Sequence, residues 1–188
     1  MPTILEQAET IRDETVEYAN TPARVGACLV DIANALNPPY CFGYGSGNTD
    51  PTIITTGGTY YKAVFTIGLS DGSGFTVDDF GVITCTHTDS AGFYGMYNVN
   101  VVMSVSGGSG SHVVRAALGS DTLVEEGLSV TATLANGAGK PHQIIMNFVI
   151  GLLAGDTTAI WITDEHSGDS LVVSNISISI TRMATLAI

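Results

Sequence analysis

Basic side chains are scarce in this chain: its 188 residues hold 6 Lys and Arg against 18 Asp and Glu, for a formal net charge of -12. Nucleic acids are gripped through phosphates by clusters of Lys and Arg, so the deficit excludes them as partners. Charge of either sign is thin, at 13% of residues, whereas 45% are hydrophobic; an average protein carries about 25% charged residues. Disorder goes with low hydrophobicity and dense charge, which makes this a folding chain. Long apolar runs are missing in spite of a mean hydropathy of +0.31. Gly, Ser, Thr and Asn interrupt every stretch before the roughly 18 residues of a membrane span, so no membrane insertion is expected. The opening residues MPTILEQAETIRDE are acidic and lack the basic-then-apolar order of a secretory signal.

Cysteine is equally sparse. Cys28, Cys41 and Cys85 are an odd number with no CxxC pair, which argues against a disulfide framework and against zinc. They read as small buried hydrophobes in a protein made in a reducing cytoplasm; Cys28 and Cys41, flanking a turn, are the one pair close enough in sequence to bridge. Histidine is limited to His87, His112, His142 and His166, each at an expected loop or strand end with no nucleophile elbow nearby. No catalytic residue follows from them. Asp164-Glu165-His166 gathers three possible metal ligands, but consecutive side chains diverge, and the cluster reads as a polar hairpin turn. Asp78-Asp79 lacks an Asx-rich calcium loop and also reads as a turn. The stretches from Gly43 to Gly47 and from Gly107 to Gly110 lack the lysine of a phosphate-binding loop. No metal and no cofactor are expected. Asn175-Ile176-Ser177 has the form of a glycosylation acceptor but falls inside a strand.

What the chain does contain falls into regions of different pattern. Of 22 glycines only Gly26 precedes residue 43. Residues 1–36 read as helical, 37–51 as a proline- and glycine-rich linker opened by Asn37-Pro38-Pro39, and 52–188 as a β-sandwich domain. In the first region Ile4, Ile11, Tyr18, Val25 and Ile32 recur every seven residues, one apolar stripe whose companion positions are mostly polar or small. Asn20-Thr21-Pro22 breaks it into helices over 5–19 and 22–36. Ile4, Ile11, Tyr18, Val25, Leu29 and Ile32 are therefore the expected contacts with other copies or with a larger partner. Beyond residue 59 the period becomes two. Tyr61, Ala63, Phe65, Ile67 and Leu69 share one face; Tyr97, Val99, Val101, Met103 and Val105 another; Ile176, Ile178 and Ile180 a third. Residues 143–153 are apolar on both faces, which predicts a strand covered on both sides or lying at a subunit contact. Roughly eight or nine strands at this spacing predict an antiparallel jelly-roll sandwich. Trp161, the single tryptophan, is out of phase with Ile160 and Ile162, and so is an expected interface or ligand contact.

Two resemblances sharpen this. Ile11-Arg12-Asp13-Glu14-Thr15, then Ala19-Asn20-Thr21-Pro22-Ala23-Arg24-Val25-Gly26, then Leu29-Val30-Asp31-Ile32 resembles a helical element near the start of tailed-bacteriophage virion proteins. Phe75-x-Val77, Gly81-Val82-Ile83, Gly95-Met96-Tyr97 with the following Asn98-Val99-Asn100-Val101, and Leu153-Ala154-Gly155-Asp156 are similar to the trimeric jelly-roll heads of complement and tumour-necrosis-factor type. The resemblances imply a mainly β homotrimer with an N-terminal helical anchor. They point to a non-enzymatic virion structural protein: a short capsid fibre or decoration protein made in the host cytoplasm and carried on the virion surface. Its expected partners are itself and other capsid, collar or tail proteins. The alternative is a tail-fibre adhesin head whose ligand is host surface carbohydrate, and a third reading is a glycan lyase or esterase on a jelly-roll core.

Overall fold

The computed structural model describes residues 6, 8–9, 22, 24–26, 28–29, 32, 38–87, 95–107, 111–134 and 140–183. The chain divides into two compact units at 39/40. In the first, every described residue from 6 to 32 is helical, with Cys28 buried and Leu29 exposed. No helix among the described residues is long and apolar enough to cross a membrane.

The second unit is a β-sandwich. Its strands among the described residues are β1 Tyr40–Ser46, β2 Thr52–Ile53, β3 Tyr61–Lys62, β4 Gly68–Ser73, β5 Phe75–Val77, β6 Ile83–Cys85, β7 Gly95–Gly107, β8 His112–Gly119, β9 Val124–Leu134, β10 His142–Leu152, β11 Thr157–Asp164 and β12 Ser170–Arg182. They form two antiparallel sheets, ordered β10-β7-β12-β1-β4 with β2 beside β12, and β5-β6-β11-β8-β9 with β3 beside β11.

The period-two segments put their apolar residues between these sheets. Tyr97, Val99, Val101, Met103 and Val105 of β7 and Ile176, Ile178 and Ile180 of β12 face Val114, Ala116 and Leu118 of β8 and Ile160 and Ile162 of β11 in one core. Burying a branched side chain of this kind stabilises by about 1.5–3 kcal/mol. Phe75 meets Tyr97 edge to face, with ring centroids 5.4 Å apart, the arrangement that aromatic quadrupoles favour. In β12 the spacing from Val173 to Ile176 is odd, yet both are buried. A bulge between Val173 and Asn175 absorbs the extra residue and restores the phase. Asn48 secures that bulge: its Nδ2 donates to the carbonyls of Val173 (3.1 Å) and Val64 (2.9 Å), and its own N–H donates to that of Ser174 (3.3 Å).

Three expectations change. The linker placed at 37–51 contains β1, which pairs with both β12 and β4. Its glycines serve close approach: a Cβ on Gly45 would stand 2.0 Å from the Thr66 carbonyl oxygen, and one on Gly43 3.1 Å from Ile67 Cδ1. The strand expected across 59–69 is broken into β3 and the start of β4; residues 63–67 between them leave the ladder but keep the alternation, Ala63, Phe65 and Ile67 buried and Val64 and Thr66 exposed. Of the two alternatives for residues 143–153, cover on both sides within the chain gives way: β10 is an edge strand with Ile144, Met146 and Leu152 inward and Ile145 and Val149 outward. The three cysteines are buried free thiols, so Cys28 and Cys41 are not bridged. Burial pushes the Cys41 thiol up to about 11, which makes it a poor nucleophile at neutral pH. At Asp78 the expected turn forms, its Oδ1 accepting the N–H groups of Phe80 (2.9 Å) and Val82 (2.8 Å).

Candidate functional site

Three strand ends carry the inward alternation one step beyond the hydrophobic core and finish it with polar residues. His112 opens β8 in phase with Val114 and Ala116; Asp164 closes β11 in phase with Ile160 and Ile162; Asp169 precedes β12 in phase with Leu171 and Val173. The side chains of His112 and Asp164 are fully buried, and that of Asp169 is 16% exposed. His112 Nδ1 lies 3.2 Å from Asp164 Oδ2 and 3.5 Å from Asp169 Oδ2. His166, with 55% of its side chain exposed, brings its Nδ1 to 3.5 Å from Asp164 Oδ1. One donor atom from each of the four residues lies within 4.8 Å of the others.

The backbone around this cluster is tightly tied. Asp164 Oδ1 accepts the His166 N–H at 3.0 Å. Glu165 points elsewhere, its Oε1 accepting the Val113 N–H at 3.1 Å while its own N–H donates to the Val113 carbonyl at 3.2 Å. Residues 54–58 back the loop from outside: the N–H of Gly58 reaches the Asp164 carbonyl (2.7 Å), that of Ile54 the Asp169 carbonyl (2.9 Å), and that of Gly57 Ser167 Oγ (2.8 Å). A Cβ on Gly57 would stand 2.3 Å from the Glu165 carbonyl oxygen. Within this frame four atoms are shielded from solvent and make no hydrogen bond in the chain: both ring nitrogens of His112, Asp164 Oδ2 and Asp169 Oδ2. Nδ1 and Oδ2 approach closely without the alignment of a hydrogen bond. Leaving such atoms unpaired costs about 1–3 kcal/mol each.

The turn expected at 164–166 is thus only partly a turn. Divergence of neighbours sends Glu165 away, but residues two apart return to the same side. The two remaining members come from elsewhere in sequence, and the signal for them was phase: His112 and Asp169 occupy inward positions of apolar strands.

A second feature lies on the outer face of the sheet ordered β10-β7-β12-β1-β4. Tyr44 (58% exposed), Ile145 (57%) and Val149 (47%) point outward there. The register sets Tyr44, Ser177, Val102 and Ile145 in one row and Thr181, Asn98 and Val149 in another, with Asn100 between. Asn98 Oδ1 and Asn100 Oδ1 are shielded and make no hydrogen bond within the chain.

A cleft of about 560 Å³ opens where the β8–β9 turn meets the end of β10 and the start of β11, lined among others by Glu125, Leu128, Val149, Asp156 and Thr157. Asp156 Oδ2 is engaged by the Leu153 N–H at 2.8 Å, and neither histidine nor cysteine lines this cleft. Trp161 is half-buried on the other sheet, its Nε1–H donating to the Ser120 carbonyl at 3.0 Å. Of the expected helical contacts, Val25 and Ile32 are half-buried and Leu29 is exposed, while Ile4, Ile11 and Tyr18 lie outside the described residues.

No family model matches the chain, and no curated protein matches it in sequence. Its fold does have relatives among solved structures. Eiger TNF from S. frugiperda superposes with a TM-score of 0.51 at 15% identity, over 80% of this chain and 96% of that one. Murine APRIL superposes with a TM-score of 0.46 at 11% identity, over 77% of this chain and 99% of its own. The first likeness defines the class: a jelly-roll sandwich of tumour-necrosis-factor type. At that identity it speaks for the fold alone.

Proposed function

We propose that this chain is a non-enzymatic bacteriophage virion structural protein, a short homotrimeric capsid fibre or decoration protein carried on the virion surface. Residues 1–36 attach it to other virion proteins, and the jelly-roll unit projects as the head. The carrying observation is the outer face of the β10-β7-β12-β1-β4 sheet. Tyr44, Ile145 and Val149 expose apolar surface there around two asparagine oxygens that lack partners. A second copy would cover the former and hydrogen-bond the latter, and interfaces of this kind favour aromatic and aliphatic anchors with few charges. The same reading explains why residues 143–153 are apolar on both faces of an edge strand. The scarcity of charge keeps the remaining surface polar and unfussy, as suits a particle coat. The sequence resemblance of residues 11–32 to virion helical elements supplies the phage assignment. An adhesin reading leans on Trp161, whose hydrogen bond to Ser120 turns it to structural use.

The test has two arms. Sedimentation equilibrium of the full chain should give three times the monomer mass, and mass spectrometry of purified particles should find the chain in stoichiometric amounts. A monomer in solution defeats the trimer; a chain absent from particles defeats the virion role.

A further inference from the structure

We propose that His112, Asp164, His166 and Asp169 form a binding site for a divalent transition-metal ion of the zinc class, a structural staple at one end of the sandwich. The inference stands apart from trimerisation and from the virion role.

Both ring nitrogens of His112 and one oxygen each of Asp164 and Asp169 are shielded without a hydrogen-bond partner, although buried polar groups are almost always satisfied. Nδ1 of His112 and the two carboxylate oxygens share one space with His166, while Nε2 points away on the other side of the ring. Spacing and alignment together suit a metal site. Ligands about 2.1 Å from a tetrahedral ion stand about 3.4 Å apart. His112 Nδ1 stands 3.2 Å from Asp164 Oδ2 and 3.5 Å from Asp169 Oδ2, all four donor atoms lie within 4.8 Å of one another, and the closest pair lacks hydrogen-bond alignment. Two imidazoles with two carboxylates suit zinc and its neighbours; calcium and magnesium prefer all-oxygen shells. Two carboxylates also carry the charge that a divalent ion neutralises, which removes the penalty of burying them beside each other.

The fold supplies what such a site needs. Three ligands come from strand ends, and the 54–58 segment fixes the intervening loop through backbone hydrogen bonds. His166 is the exposed member, so its ring has the freedom to close over an ion arriving from solvent. With four protein ligands the site is a closed structural one. It would join β8 to the loop between β11 and β12, across a sequence separation of 52 positions from His112 to Asp164.

The experiment uses the full chain, stripped with a chelator and dialysed. Zn²⁺ titrated calorimetrically should bind at one ion per chain, and Co²⁺ should give the visible bands of a tetrahedral site. Saturating Zn²⁺ should raise the melting temperature by roughly 5–10 °C. His166→Ala, which removes an exposed ring and leaves the core intact, should weaken Zn²⁺ affinity tenfold or more, and Asp169→Asn should do the same. Failure of the folded wild-type chain to take up Zn²⁺ or Co²⁺ overturns the proposal and makes water the occupant of the hole. Undiminished binding by folded His166→Ala also overturns it, since the ion would then sit elsewhere.

Discussion

On their inner faces the two sheets follow one rule. Val99, Val101 and Ile178 in one sheet and Val114, Ile160 and Ile162 in the other are equally removed from water. On their outer faces they part company. The sheet ordered β5-β6-β11-β8-β9 exposes Arg115, Thr131 and Thr133, pairs Lys62 with Asp121, and lays Trp161 toward the Ser120 carbonyl. The sheet ordered β10-β7-β12-β1-β4 exposes Tyr44, Ile145 and Val149 instead. Inner faces answer to packing, which any two-layer sandwich demands. Outer faces are free to differ, and one that exposes apolar side chains to solvent is open to contact with another surface.

The comparison can be tested at its strongest point first. Ile178→Ala and Ile162→Ala, one from each inner face, should each cost about 2–5 kcal/mol in urea unfolding; a cost confined to one sheet would break the equivalence of the inner faces. The outer faces should then diverge. Ile145→Asp should reduce the proposed trimer to monomer by sedimentation at micromolar concentration, while Thr131→Asp on the opposite sheet leaves the mass unchanged. Equal effects would erase the distinction, and no effect from Ile145→Asp would remove this face from the subunit contact. The smallest effect concerns pH. Cys41, on the inner side of β1, titrates at about 11 in the folded chain against an ordinary value of 9.0. A folded value above the unfolded one means that the native state holds its proton longer, so this contribution is complete below about pH 9 and is lost as pH rises toward about 11. Stability should decline through that window, and Cys41→Ala should flatten the decline as read by thermal melts across pH 8.5–11.

Much of this architecture was legible from residue order. β7 was readable from Tyr97 to Val105 because five consecutive odd positions from Tyr97 are apolar and the even positions between them largely polar; its ends at Gly95 and Gly107 carry no such signal. β12 was readable too, although its bulge hides in the odd step from Val173 to Ile176. β1 was not, because Gly43 and Gly45 imitate a flexible connector; their lack of side chains makes room for residues 66–67, a requirement set by a segment more than 20 positions away. The candidate metal site was half legible. Asp164 and His166 stand out by composition, and His112 and Asp169 by occupying inward phases, but nothing local says that these four converge.

That division has a physical cause. Period-two alternation records on which side of its strand each residue lies, since backbone geometry turns successive side chains to opposite faces. The sequence by itself therefore determined the contents of the core, the sandwich class and the helical character of the described residues before 36. It carries no equivalent mark of which strand lies beside which, because pairing depends on distant segments that must be brought together against chain entropy. Only the tertiary structure decided that β8 lies next to β11 and that β10 forms an edge. The first of those choices places His112 against Asp164.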